Sequence, residues 1–341
     1  MGLGFWIFFL AMTKLRVGVI GVGHLGSLHA KMYAELPAAE LIGVVDTDLA
    51  RAKAVAGGVN TKAFATVEEL LRKVQAVSIA TPTGTHFDLA RKAIDAGVHA
   101  LIEKPITSTT EQAETLVDLS RQKNVTIQVG HIERFNPALL ALEKYDLHPM
   151  FVESHRLAQF NARGTDVAVV LDLMIHDIDI IVSLVRSPVE KIEANGVAVV
   201  SNSIDIANAR LQFANGCVAN VTASRISQKK MRKMRLFQRD AYISIDFSEG
   251  IAEVFRLVDR DDRSSSSTMM LGEIESGTVK RKIVYEHPEV KEVNALKYEL
   301  EMFVDSVLHG KTPLVTAEEG LRALAIAHDI IEKIAQQKIV F

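Results

Sequence analysis

Cysteine is almost missing from this chain of 341 residues. The single thiol, Cys217, excludes an internal disulfide and a cysteine metal cluster, and fits a reducing cytoplasm. An excess of one charge is missing too. Lys plus Arg number 39 and Asp plus Glu 42, a net charge of -3, so no basic field exists for a nucleic acid. The one basic cluster, Lys229-Lys230-Met231-Arg232-Lys233-Met234-Arg235, reads as a solvated sheet edge in preference to a phosphate-binding patch, since Lys and Arg on an edge strand discourage pairing. No hydrophobic run is long enough to span a bilayer. The most apolar one, Met1 to Met12, falls short of the roughly 17 to 25 residues a span needs. It also has no basic residues ahead of it and no small-residue cleavage signal behind it. It reads as an apolar extension ahead of a domain that starts near Met12-Thr13-Lys14-Leu15, more suited to packing on a neighbouring subunit than to touching a membrane. Internal repeats are absent.

What is present is ordinary globular composition, 48% hydrophobic and 24% charged, in a chain long enough for two domains at roughly 150 residues each. From Lys14 to about Gln128, short apolar runs alternate with amphipathic stretches, the rhythm of a doubly wound parallel sheet. Six strands are expected: Leu15 to Ile20, Glu40 to Val45, Lys62 to Phe64, Ala76 to Ile79, His99 to Ile102 and Thr126 to Val129. Past a junction at Gly130 to Pro137 come longer strand-like runs, Met150 to Leu157, Val189 to Val200, Asp205 to Phe213, Cys217 to Ser224, Arg232 to Phe237, Tyr242 to Asp246 and Ala252 to Leu257. The Asn215-Gly216 turn supports a hairpin between two of them. A buried helix over Val167 to Val185 interrupts them, Arg260 to Thr268 reads as a mobile surface loop, and helices over Asn294 to Leu308 and Thr316 to Gln337 close the chain. The expectation is α/β plus α+β: an extension at 1-12, a Rossmann domain at 13-130, and at 131-341 a large, mostly antiparallel open sheet backed by helices. The last helices can pack back on the first domain. An open sheet has a face in need of cover, so a homodimer or homotetramer through it is expected.

In doubly wound sheets the ligand lies beyond the carboxyl ends of the strands. After the first strand come Gly21, Gly23 and Gly26, in the spacing that allows a tight turn, close approach to a pyrophosphate and close helix packing, with His24 and Leu25 opening the helix. After the second comes Asp46, suited to the adenosine ribose and repellent to a 2'-phosphate, which favours NAD over NADP. Asp48 reads as a helix start. After the fourth come Ala80, Thr81 and Pro82, with His86, and after the fifth Glu103 and Lys104, with Pro105 fixing the backbone. Lys104 is the first residue that suggests chemistry beyond binding.

In the buried helix, Asp172 and His176 are spaced i, i+4, so both should point from one face, the carboxylate orienting the imidazole and raising its pKa. Asp179 follows at i+3 from His176. An isolated Asp and His on a helix more often make ordinary polar contacts. Beside a dinucleotide fold and Lys104, the acid-base reading gains.

These motifs, together with Arg134-Phe135-x-Pro137, stand in the order found in the glucose-fructose oxidoreductase/inositol dehydrogenase (Gfo/Idh/MocA) family, which the chain resembles over nearly its whole length. The resemblance implies an NAD-dependent dehydrogenase acting on a sugar or cyclitol hydroxyl. In it His176 takes the hydroxyl proton, Lys104 positions and polarises the oxygen, and Asp172 places substrate or supports His176. The run from Val129 to Pro137 is most similar to the nucleotide-sugar members, the UDP-N-acetylglucosamine 3-dehydrogenases, with Arg134, Asn136, Arg156 and Arg163 as possible sugar and diphosphate ligands. No metal is implied. Dehydrogenation of another sugar or inositol, or an NAD-sensing regulator without catalysis, are the alternatives.

Overall fold

The computed structural model describes residues 14–161, 167–259, 269–276 and 279–337. The extension at 1-12, Arg163 and the serine-rich stretch 260–268 lie outside the described residues. The chain divides into two compact units. The first comprises the chain up to Glu103, Leu116–Gln128 and Leu296–Leu314, and the second Lys104–Thr115, Val129–Ala295 and the chain from Val315.

The first unit alternates strand and helix: β1 (Leu15–Ile20), α1 (His24–Glu35), β2 (Ala39–Val45), α2 (Leu49–Gly58), β3 (Lys62–Ala63), α3 (Val67–Leu71), β4 (Ala76–Ile79), α4 (His86–Asp95), β5 (His99–Glu103), α5 (Thr110–Lys123) and β6 (Ile127–Gly130). The strands form one sheet in the order β3-β2-β1-β4-β5-β6, the Rossmann order with its reversal between β1 and β4. These strands are β-branched and buried on both faces, as parallel strands covered by helices must be. Asp48 caps α2 by accepting the backbone N–H of Ala50 and Arg51. A late helix, α8 (Ala295–His309), supplies Leu300, Phe303 and Val304 to the same core as Leu15, Val17 and Tyr33.

In the second unit a short α6 (Pro137–Leu140) precedes β7 (Phe151–Leu157) and α7 (Ile175–Val185). Then come β8 (Val189–Val197), β9 (Ile206–Phe213), β10 (Val218–Ser224), β11 (Met231–Gln238), β12 (Ala241–Asp246), β13 (Ile251–Asp259), β14 (Met269–Ser276), β15 (Val279–Glu286) and finally α9 (Ala317–Ala335). The nine-stranded sheet runs β14-β15-β13-β12-β11-β7-β10-β9-β8. All its neighbours are antiparallel except β7 and β10. Gly216, at φ +85, turns the expected hairpin between β9 and β10. Ile178 and Ile181 of α7, with Ala323, Ala327 and Ile330 of α9, pack over one face of the sheet onto Val152, Leu211, Val221 and Leu236.

Two sequence expectations change here. The basic cluster 229–235 is not an edge: β11 is the fifth strand of nine, between β12 and β7. Lys233 and Arg235 point to the side opposite buried Met234 and Leu236 and meet Asp246 and Glu153 on the flanking strands, while Arg232 shares the phase of Met234 and Leu236 and lies 3.4 Å from Glu133. The helix expected from Val167 opens with a π-helical turn at Val170–Met174 before α7 begins. Strands β14 and β15 extend the sheet beyond the runs read from sequence.

Candidate active site

In the first unit the ends of β1, β2 and β4 build a cradle. Gly21 holds φ +82, and a Cβ there would meet Thr81 Cγ2 at 2.5 Å and the Ala80 carbonyl at 2.8 Å. A Cβ on Gly26 would fall 1.8 Å from the Gly21 carbonyl oxygen, so only glycine lets α1 start against the turn. Gly23 faces open space. Among the described residues no side chain caps α1 at Gly23 and no acid occupies its first turn. Its N–H groups and positive dipole end are therefore available to an anionic phosphate.

Asp46 fixes the turn from the side. Its carboxylate accepts the Val22 N–H at 2.8 Å and the Asp48 N–H at 2.9 Å, with Arg51 Nη2 at 3.3 Å. Burial pushes its pKa up, but those two backbone donors, helped by Arg51, outweigh it and hold the carboxyl below its ordinary value. Asp46 and Asp48 outnumber Arg51, so the locality stays negative and disfavours a 2'-phosphate. His86 is buried and donates Nε2–H to the Thr81 carbonyl at 2.8 Å, holding the Ala80-Thr81-Pro82 loop in place. His24 and Leu25 are exposed at the start of α1.

Glu103 does not present its carboxylate to solvent. It is buried and lies 3.0 Å from His29 Nε2, in a cluster with Glu299 of α8. Burial, reinforced by Glu103, pushes the Glu299 pKa well up, and its carboxyl oxygens meet no hydrogen-bond partner among the described residues. The cluster leaves no mark in the sequence, because Glu299 sits in a helix far along the chain from His29 and Glu103.

In the second unit, Lys104 Nζ donates to the Asp172 carbonyl at 2.7 Å and lies 3.9 Å from the Asp172 carboxylate. Asp172 lies in the π-helical turn Val170–Met174, where the backbone departs from regular i→i+4 bonding. The expected support of His176 by Asp172 is corrected. Among the described residues no hydrogen bond joins them, and His176 Nδ1 has no partner. Its pKa is lowered, well below the ordinary histidine value, first by burial and then by the charges of Lys104, Arg156 and Arg232 and the His131 ring. His131 lies edge-on to His176 with ring centroids 6.3 Å apart. His176 is thus held neutral, the form that accepts a proton.

Three arginine and asparagine candidates are committed to the protein. Arg156 is buried, its Nε and Nη2 on Asp177 at 3.0 and 2.9 Å and its Nη1 on Glu133 at 2.8 Å. Arg134 lies 3.5 Å from Asp179 and 3.4 Å from Glu319. Burial pushes Asp179 up to about 7 against the pull of Arg134. Asn136 caps α6 through Ala138 N–H at 3.1 Å and donates to the Phe247 carbonyl at 3.1 Å. Arg163 lies outside the described residues.

A cavity of about 530 Å³ opens beside Asp172, lined also by Leu157, Leu173, Lys230, Arg232 and Phe247. A larger one, about 820 Å³, lies among α7, β8 and α9 and holds neither Lys104, Asp172 nor His176. Of the two, only the smaller is lined by Asp172, whose carbonyl receives Lys104.

The family model of the oxidoreductase family with an NAD-binding Rossmann fold (GFO/IDH/MocA) matches residues 15–131, and that of the GFO/IDH/MocA C-terminal domain matches 149–253. The chain belongs to the Gfo/Idh/MocA family. It is a dehydrogenase-type oxidoreductase with NAD as cofactor, as the glycine turn and Asp46 imply. It is 42% identical over 245 residues to the UDP-N-acetylglucosamine 3-dehydrogenase of Acidithiobacillus ferrooxidans, across 72% of this chain and 78% of that one. It is 27% identical over 323 residues to the scyllo-inositol 2-dehydrogenase (NAD(+)) of Bacillus subtilis, across 89% of each. The solved structure of the Acidithiobacillus enzyme superposes with a TM-score of 0.84 at 36% identity, over 95% of this chain and 98% of that one.

Proposed function

We propose that this Gfo/Idh/MocA protein oxidises the C3 hydroxyl of UDP-N-acetylglucosamine to the 3-ketone. The observation that carries this reading is the meeting, within one unit, of Lys104, the Asp172 turn and a neutral His176, with Asp172 also lining a cavity that holds Arg225, Lys230 and Arg232. Identity of 42% to an enzyme named for that reaction supports the substrate.

Gly21, Gly23 and Gly26 would hold the pyrophosphate of NAD and Asp46 its adenosine ribose. When bound, NAD supplies the acceptor for the hydride that leaves C3. His176, neutral, takes the proton of the C3 hydroxyl. The Lys104 ammonium, anchored on the Asp172 carbonyl, stabilises the negative charge that develops on the oxygen. Asp172, with 42% of its side chain exposed, is free to accept a hydrogen bond from a neighbouring substrate hydroxyl.

The test is NAD reduction with a panel of UDP-linked sugars, free sugars and inositols. Absorbance in the reduced-nicotinamide band should rise with UDP-N-acetylglucosamine. A rise with inositol alone would replace the substrate assignment.

The same reading includes self-association and a cytoplasmic location. Phe151, Phe237, Tyr242, Phe255 and Tyr285 form a ladder across five strands, ring centroids 5.0–5.8 Å apart, half-buried on the sheet face that α7 and α9 leave open. A second copy of the chain suits such a face. A solution mass equal to one 37.5 kDa chain would contradict it. The lone thiol, buried, suits a reducing compartment.

A further inference from the structure

The seven residues Lys229 to Arg235 hold five cations, and the sheet accounts for only some of them. Lys233 faces Asp246 across β12, Nζ to carboxylate 3.1 Å, and Arg235 faces Glu153 across β7 at 3.3 Å, each pair in direct cross-strand register. These two are neutralised where they stand.

Lys230 and Arg232 differ. Both line the 530 Å³ cavity that holds Asp172. They stand two residues apart on one strand approach, so their side chains leave on the same side. Arg232 is opposite Arg156 in the β11–β7 register. The two guanidinium groups share a single acceptor, Glu133 Oε1, which Arg156 holds at 2.8 Å and Arg232 at 3.4 Å. Arg156 is therefore the better partner, and Arg232, with 54% of its side chain exposed, keeps most of its bonding capacity for the cavity. Lys230 has no carboxylate within ion-pair distance among the described residues. The third cation of the wall, Arg225, is buried and committed to the Val167 and Ile204 carbonyls and to Asp205.

We propose that Lys230 and Arg232 bind the diphosphate of the sugar nucleotide, leaving the sugar toward Asp172. This rests on the nucleotide-sugar reading above and transfers the diphosphate contact from Arg134 and Arg156, which are paired with Asp179 and Glu319 and with Asp177 and Glu133. A planar guanidinium and a flexible ammonium suit two linked phosphates, one held by paired N–H groups and the other by a point charge.

Calorimetric titration of UDP into the wild-type protein, Lys230→Ala and Arg232→Ala tests it, with KM for UDP-N-acetylglucosamine measured alongside. Each variant should weaken UDP binding and raise KM by about tenfold or more, well beyond any fall in kcat, with KM for NAD unchanged. Arg232→Lys should recover part of the loss. Unchanged melting temperatures show that the fold is intact, and Lys230→Glu, on an exposed side chain, provides a second variant should Arg232→Ala melt early. UDP affinity unaltered in Lys230→Ala and Lys230→Glu overturns the proposal. Failure of the wild type to reduce NAD with the UDP-sugar, with UDP still bound through Lys230, overturns the substrate reading and leaves the anion site standing.

Discussion

Replacing Arg156 separates a structural from a substrate-binding role. Its guanidinium spans Asp177 and Glu133 through three hydrogen bonds of 2.8–3.0 Å, and all three residues are buried. In Arg156→Met, Glu133 keeps Arg232 and Asn136, but among the described residues Asp177 loses its ion-pair partner. Breaking a buried pair by removing one side costs about 3–5 kcal/mol. For a unit of roughly 200 residues each kcal/mol moves the melting temperature by about 2–4 °C, so the expected fall is about 6–20 °C. Arg156→Lys keeps the charge and loses the two-point hold on Asp177, for an intermediate fall. Adding Asp177→Leu to Arg156→Met should restore much of the stability, because the stranded charge is gone. Thermal melts followed by circular dichroism, with KM for the UDP-sugar measured on the same samples, read both roles. A melting temperature equal to wild type with a raised KM would refute this reasoning and make Arg156 a ligand.

In Gly26→Ala the new methyl must displace the Gly21 carbonyl 1.8 Å away, so NADH affinity measured by fluorescence should collapse; retained affinity would show that the turn is not the phosphate cradle. Glu299 tests the buried acid cluster by its sign. The folded state keeps a proton there that the unfolded chain releases near the ordinary value of 4.5, so its contribution to stability is full below that pH and is lost as pH rises toward the folded value. Glu299→Gln should therefore be more stable than wild type at neutral pH and equal to it in acid, and urea midpoints that differ equally at both would contradict it. Lys104→Met and His176→Asn should each lower kcat by about 10²- to 10⁴-fold, and the acid limb of wild-type kcat should lie well below pH 6.5, because burial and neighbouring charge keep His176 neutral. A limb at or above 6.5 would assign the proton to another group.

The Rossmann unit was legible because its strands are short, apolar and β-branched, and because each functional residue follows directly on a strand. Ala80, directly after β4, comes close to Gly26 in the first turn of α1. The second sheet was legible through β13 and then lost. β14 and β15 carry charges among exposed Met269, Met270 and Ile274, and they pair at the sheet's end, where alternation is weak. Periodicity cannot tell a π-helical turn from an α-helical one, so Asp172 and His176 were read as partners when one carbonyl had gone to Lys104. The roles of the arginines depended on pairings far apart in sequence: Arg156 with Asp177 and Arg134 with Glu319. Arg232 looked like a sheet-edge charge because strand order cannot be read from strand composition.

The central claim is that C3 of the UDP-linked sugar gives up its hydride, and an isotope label tests it most directly. UDP-N-acetylglucosamine carrying deuterium at C3 should yield NADH heavier by that deuterium in the mass spectrum, while deuterium at C4 should remain with the sugar product. Unlabelled NADH from the C3-labelled substrate, or label transferred from C4, would contradict the account.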